Sequence, residues 1–265
     1  MTLVSLTATD LALAALLVLV LGGLSLRLGL GLTRPLLLAA GRTVVQLMLV
    51  GLVLKALFQT LSLLWVGLVA LLMLAVAGWE VRARQQRRLR GMWGYGVGAL
   101  SMFVSTFSIT LLALLVVIQN QPWYAPQYSI PLLGMMFGNT MNGIAIALDR
   151  LTQQAWQQRG VIEARLCLGH TWREAMEEPR RESVRAGLIP IINAMAAAGV
   201  VSLPGMMTGQ ILAGAPPLEA VKYQILIMFM IAGGTGFGTL AAVAAASRRL
   251  FDERERLRLD RLAGG

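Results

Sequence analysis

Long apolar runs separated by short polar connections set the pattern of this chain. Seven stretches, about 11–30, 36–57, 61–79, 95–118, 130–148, 187–203 and 221–246, reach or approach the roughly 20 mainly apolar residues that a helix needs to cross a bilayer. The sixth is the shortest and carries Pro190 near its start. Connections near Thr33-Arg34-Pro35 and Gln59-Thr60 are tight enough to force antiparallel neighbours. In hydrocarbon every backbone polar group has to be satisfied within its own span, so helices are the form these runs take. The pattern predicts an all-α polytopic membrane protein of about seven transmembrane helices, a single transmembrane domain over 1–265.

Charge turns the pattern into a topology. The chain is 57% hydrophobic and 14% charged, where soluble domains carry about 25% charged residues. Its formal net charge of +10 does not indicate nucleic-acid binding, because the arginines lie between apolar runs. Arg27 and Arg34 flank the first connection, Arg82 to Arg90 fill the third, Arg150 to Arg185 populate the fifth, and Arg248 to Arg261 follow the last run. With seven spans all four segments fall on one side. The other side has Lys55 and Lys222 near span ends and no charge from Gln119 to Ser129. Positive segments stay in the cytoplasm, so the expected N-terminus is outside and the basic tail 247–265 inside. The first run follows Asp10, not a basic stretch, and a second run follows at once, so it reads as a span and not as a cleavable signal. The one cysteine, Cys167, excludes a disulfide framework within the chain and is read as a small apolar filler.

The fifth connection, 149–186, has structure of its own. Val161, Ile162 and Leu166 share a face at helical spacing, beside the polar Gln157, Gln158 and Arg159. Gly169 breaks this helix. Thr171 with Glu174 three residues on is a capping box, so a second short helix starts there and Pro179 limits it. The expectation is a rigid helix–turn–helix knob on the cytoplasmic face, with a solvated charged loop as the plainer reading.

Two sets of residues carry a family resemblance. Glu163-Ala164-Arg165 with Gly169 resembles the Glu-Ala-Ala…Gly signature of ATP-binding-cassette (ABC) permeases, whose loop docks into a groove on an ATPase subunit. The block Ser202-Leu203-Pro204-Gly205-Met206-Met207-Thr208-Gly209 continues through Ala213-Gly214 and Pro217 to Lys222-Tyr223-Gln224-Ile225. Together with Gly134 to Asn139, Arg185 to Pro190, and Gly41-Arg42 with Gln46-Leu47, it resembles the permease family of the bacterial Fet iron-export system, to which plant aluminium-tolerance membrane proteins also belong. The resemblance runs over nearly the whole chain in the same order. It departs at Ala196 and Ala197, where the family pattern has a Lys-Thr pair after the residue matching Asn193. It implies an ABC-type permease that pairs with a separate ATPase subunit, with Glu163, Ala164, Arg165, Gly169, Thr171 and Glu174 as the ATPase-coupling residues, a homodimer, and iron export for the bacterial relatives. A non-metal substrate such as a nucleotide sugar, or a secondary transporter without an ATPase, are the alternatives.

The chain has no Gly-x-x-x-x-Gly-Lys-Ser/Thr loop to cradle nucleotide phosphates, so it binds no cofactor itself and ATP belongs to the partner. Gly234-Thr235-Gly236-Phe237-Gly238 lies inside an apolar run with no strand before it and reads as helix packing. Glycines four apart, at Gly134 and Gly138, Gly205 and Gly209, and Gly234 and Gly238, let membrane helices approach closely. Polar residues inside the runs are the pathway candidates: Arg42 and Gln46 on one face of the second run, Asn139 and Asn142 in the fifth, and Asn193 in the sixth. Arg42 either snorkels to the interface, pairs with Glu80 or lines the pathway; the amides either join helices or touch substrate. Pro204, Gly205, Met206 and Met207 begin an irregular segment, 204–219, the preferred gate or outward vestibule. Thioethers suit soft ions, yet fourteen methionines serve more simply as packing filler, and no metal site is assigned. Without a buried carboxylate, nucleophile or acid–base constellation in any span, neither ion-coupled transport nor a membrane-embedded enzyme finds its residues.

Overall fold

A computed structural model describes residues 7–59 and 62–263. Thr60, the residue after it, and both chain ends lie outside the described residues, and with them part of the second tight connection and the first residue of the predicted third span. The chain divides into two compact units, 1–61 and 62–265.

The first unit is a helical hairpin of α1 (Ala8–Arg27) and α2 (Thr33–Gln59). Ser25 and Thr33 close it: Thr33 donates to the Gly22 carbonyl at 3.0 Å, and the Ser25 hydroxyl accepts from the Leu32 amide at 3.2 Å. Gly29 and Gly31 supply the positive φ of the turn, at 64° and 68°.

The second unit contains α3 (Leu63–Ala83), α4 (Trp93–Leu112) running on as a π-helical turn (Ala113–Ile118), α5 (Pro126–Gln157), α6 (Arg159–Cys167), α7 (Trp172–Ala175), α8 (Glu177–Ala197), α9 (Gly205–Leu212) and α10 (Pro217–Arg249). A two-residue antiparallel pair joins β1 (Arg88–Leu89) to β2 (Leu262–Ala263). Contacts along the helices fix their directions. Gln154 on α5 meets Pro179 on α8, with its amide oriented to donate to the Pro179 carbonyl, while Gly143 meets Gly187 and Met136 shares a cluster with Ile191, so α8 runs against α5. Gly234 of α10 meets Met136 and Thr140, and Gly238 meets Thr140 and Ile144, so α10 runs with α5. Trp93 stacks under Arg249 while Ser105 meets Gly238, so α4 runs against α10.

Among the described residues six helices are long and apolar enough to cross a membrane: α1, α2, α3, α4 with its π turn, α5 and α10. The predicted sixth span, 187–203, is not among them. Its helix starts in the charged sequence Glu177-Glu178-Pro179-Arg180-Arg181-Glu182 and ends at Ala197. That leaves an apolar part of about 16 Å at 1.5 Å per residue, half of the hydrocarbon thickness. The backbone then turns over 198–204, with Gly199 at φ 83° and the Val201 and Ser202 amides both donating to the Ala197 carbonyl. Helix α9 follows, with Met206 beside Pro131 and Met135 of α5 and Met230 of α10. Because α5 and α10 run the same way, the chain must return between them, and the broken pair α8–α9 makes that return. The seventh passage exists as two pieces with a turn between them.

Close approach in the core depends on glycine at three crossings. A methyl group at Gly187 would strike the Gly143 carbonyl oxygen and Ala147, one at Gly98 would strike Val81, and one at Gly238 would strike Ser105 and Thr140. Of the three predicted glycine pairs, Gly234 and Gly238 are therefore a packing pair. Gly205, Gly209 and Gly138 have nothing within contact distance, and Gly134 makes only an ordinary contact with Met73.

Candidate functional site

The predicted knob exists, and its construction is local. After α5 the chain turns at Gln158 into α6, whose Ile162 is fully buried and whose Leu166 packs on the same core. Val161, predicted to share that face, is instead 53% exposed, because it falls on the outer side of this short helix. Gly169 ends the segment at φ 91°, a backbone angle that side-chain-bearing residues rarely adopt. The capping box then closes on α7: the Thr171 amide donates to Glu174 Oε2 at 2.7 Å, and the Glu174 amide donates back to the Thr171 hydroxyl at 3.4 Å. These bonds from Thr171, with the His170 charge adding to them, hold the Glu174 carboxyl below the usual glutamate value. Ala175 and Met176 are fully buried beneath. Pro179 does not limit the short helix; it sits in the first turn of α8, where a missing N–H costs nothing. Glu163 pairs with Arg159 at 2.8 Å and Arg165 with Glu178 at 3.7 Å, while Ala164 is exposed. Cys167 is exposed, so it is not a buried filler.

The tail was expected only as a basic extension, and it folds onto this elbow. Leu250, Phe251 and Leu262 are buried, and the Phe251 ring lies 5.9 Å from that of Trp172. The Trp172 amide, at the start of α7, donates to Glu255 Oε2 at 3.0 Å, and Arg180, Arg173 and Arg248 surround the Trp172 ring. Arg261 donates to the carbonyls of Arg249 and Phe251, and β2 pairs with the connection between α3 and α4. Asp260 is lowered to about 2 by its two hydrogen bonds from Arg258. A groove of about 720 Å3 separates Glu163, Gly169 and His170 on the elbow from Arg254, Glu255 and Arg256 on the tail.

The candidate pathway residues fall in three places. Arg42 and Gln46 lie one turn apart on α2, both exposed, in the first unit. Asn139, Asn142 and Asn193 lie on exposed faces of α5 and α8. Asn139 turns its amide back to the Met135 carbonyl at 2.8 Å. Asn142 lies halfway along α5 and accepts from Arg84 Nη1 at 2.5 Å. It lines a cavity of about 320 Å3 with Arg84, Asp149, Arg150, Gln153 and Ala186. Asn193 stands two turns beyond Ala186 on α8. Asp149 accepts from the Gln86 amide at 2.8 Å and from Gln153 Nε2 at 2.7 Å. Arg84, Asp149 and Gln153 escaped the sequence reading, although the spacing of Asn142, Asp149 and Gln153 puts them on one face of α5.

Met206 lines a separate pocket of about 200 Å3 at the other end of the bundle, with Met135, Met230, Tyr128, Tyr223 and Gln210. Pro204 caps α9, Gly205 opens it, and Met207 is half-buried. Segment 204–219 is therefore not irregular throughout but helical over Gly205–Leu212. Among the described residues no group of three or more His, Cys, Asp or Glu side chains is placed to hold a metal ion.

Apolar helices of spanning length, a broken return passage and a folded polar cap at one end define an all-α multi-pass membrane protein. The chain belongs to the uncharacterised protein family UPF0014, whose model matches residues 8–251. It is 44% identical over 86% of its length to the UPF0014 membrane protein slr1647 of Synechocystis, 88% of which is covered. It is 31% identical over 96% of its length to the probable iron export permease protein FetB of Escherichia coli, 95% of which is covered. Protein ALUMINUM SENSITIVE 3 of Arabidopsis thaliana is 33% identical over 77% of this chain and 72% of its own length. No solved structure matches the chain.

Proposed function

We propose that this chain is the membrane-spanning permease subunit of an ABC transporter, a homodimer powered by a separate ATPase, and that it exports iron or another metal. The observation that carries the reading is the elbow. A capped, buried-footed helix–turn–helix projects between α5 and α8, and Trp172 bonds it to the segment that follows α10. An ATPase grasping Glu163, Ala164, Arg165, Gly169, Thr171 and Glu174 would therefore move α5, α8 and α10 together. The sequence carries no phosphate-binding loop, which fits a reading in which the energy comes from another polypeptide. The Escherichia coli relative is named a probable iron export permease protein, which supports permease activity and iron. The arginine-rich end, with elbow and tail, is the cytoplasmic one.

Co-purification with a candidate ABC ATPase from the same organism tests this. Glu163→Lys and Gly169→Val should each lose the ATPase from the purified complex while the permease still inserts in the membrane. Undiminished co-purification with both variants, or ATP hydrolysis by the chain alone, would overturn the reading.

A further inference from the structure

We infer that a polar passage opens along the seam where α4, α5 and α10 meet, lined by the hydroxyls of Thr106, Thr140, Thr235 and Thr239, and that it takes a hydrated polar solute. Its use in transport rests on the permease reading above; its opening to water does not.

The seam lies at mid-span. Thr106, Thr140 and Thr235 each stand near the middle of an apolar run, 95–118, 130–148 and 221–246, with Thr110 and Thr239 one turn further along α4 and α10. Packing draws them together. A methyl group at Gly143 of α5 would strike Thr235 Cγ2 and stand 3.2 Å from the Thr239 hydroxyl. One at Gly238 of α10 would strike Thr140 Cγ2 and the Ser105 hydroxyl, and one at Gly234 would stand 3.6 Å from the Thr140 hydroxyl. All five threonines are at most 2% exposed.

None of the five hydroxyls has a hydrogen-bond partner among the described residues. Other buried hydroxyls of the same helices do. Ser105 donates to the Ser101 carbonyl at 2.8 Å, Thr152 to Leu148 at 3.0 Å and Ser247 to Val243 at 2.6 Å, each one turn back along its own helix. Thr140 and Thr239 instead place their oxygens at the crossing, beside Gly234 and Gly143 of the opposite helix. Nor do the five bond one another, as hydroxyls that join membrane helices do. A hydroxyl buried without a partner costs free energy, and hydrocarbon supplies no partner in its place. Five of them at one depth penalise the closed packing together, and water satisfies them all once the helices part. A hydroxyl both donates and accepts and carries no charge, so this lining takes a solute by its hydration and not by its sign.

The test uses the full chain in nanodiscs, with Cys167→Ser removing its one native thiol. Single cysteines are introduced as Thr140→Cys, Thr235→Cys and Thr239→Cys, and as Ala70→Cys and Ala77→Cys, buried controls on α3. The probe is a trimethylammonium methanethiosulfonate, itself a hydrated polar solute. The seam positions should react at least about ten-fold faster than the controls. Thr140→Val with Thr235→Val keeps shape and removes two hydroxyls; it should leave the melting temperature unchanged or raised and slow the labelling of Thr239→Cys. Equal rates at seam and control positions would overturn the inference. So would a lowered melting temperature in the valine pair, which would show the hydroxyls to be bonds that hold the bundle. Fast seam labelling in a chain with which no ATPase associates keeps the passage and removes the permease reading. Slow labelling in a chain that does bind an ATPase removes the passage alone.

Discussion

At the arginine-rich end of the α5–α8–α10 bundle, elbow, tail and the connection after α3 are joined by a ring contact, a capping carboxylate, a β-pair and several arginine–tryptophan contacts. At the opposite end α9 buries none of its residues, and Val200 and Val201 in the turn before it are 89% and 84% exposed. Both ends close a connection between two helices, but only one spends side chains on fixing it. A coupling surface has to transmit displacement without absorbing it, so rigidity suits the elbow. A gate has to change shape at low cost, so sparse packing suits 198–216. On the permease reading proposed above, the contrast would put force input at one end and adaptability at the other.

The strongest way to break that comparison lies between the ends, at the α5–α8 crossing. Gly187→Leu drives a side chain into the Gly143 carbonyl and Ala147. It should cost more than about 3 kcal/mol and abolish recoverable folded protein, measured by monodisperse yield in detergent. Gly205→Ala and Gly209→Ala, with open space around each, should leave yield and melting temperature unchanged. Equal damage at the two places would erase the distinction.

Trp172→Ala comes next. It removes the ring that Phe251 and three arginines pack on and should lower stability by roughly 2–3 kcal/mol, with hydrogen exchange accelerated across 159–178 and 250–263. Exchange that stays slow in the tail would show that the two segments are not bound together. Glu255→Gln is a milder cut, replacing a charged acceptor at the Trp172 amide. It should cost about 1 kcal/mol locally, speeding exchange at 172–175 with little change in melting temperature.

The smallest effect is with pH. Asp260 and Asp252 are both held below the ordinary aspartate value, Asp260 through Arg258 and Asp252 chiefly through the Arg256 amide. A depressed carboxyl contributes stability that is complete above its unfolded value and lost as pH falls towards its folded one. Tail protection should therefore be constant from pH 8 to 5 and decline between about pH 4 and 2, read by exchange at the β1–β2 pair. A decline centred near neutrality would point to a different group.

Much of this arrangement was legible beforehand because it is local. Six apolar runs became helices of spanning length, and Thr171 with Glu174 became a capped turn because a capping box needs only four consecutive residues. Gly169 ended its helix through its own φ. The failures share a cause. Hydropathy over 187–203 counts apolar side chains and cannot register that the helix ends at Ala197 and the backbone turns at Gly199. Val161 and Ile162 are equally apolar, and only the packing of α6 decides which is buried. The glycine crossing of Gly143 and Gly187, and the reach of Arg84 to Asn142 across 58 positions, leave no signature in local spacing.

Sequence alone determined that this protein lives in lipid, that its passages are helical, and that most of its arginines lie between the apolar runs and not within them. Those properties follow from transfer free energies and backbone hydrogen bonding, which each segment satisfies by itself. Tertiary structure decided that the return passage is broken, that the tail braces the elbow, and that two arginines and an asparagine share one cavity. These depend on contacts between residues far apart in the chain, which exist only after α5, α8 and α10 have packed.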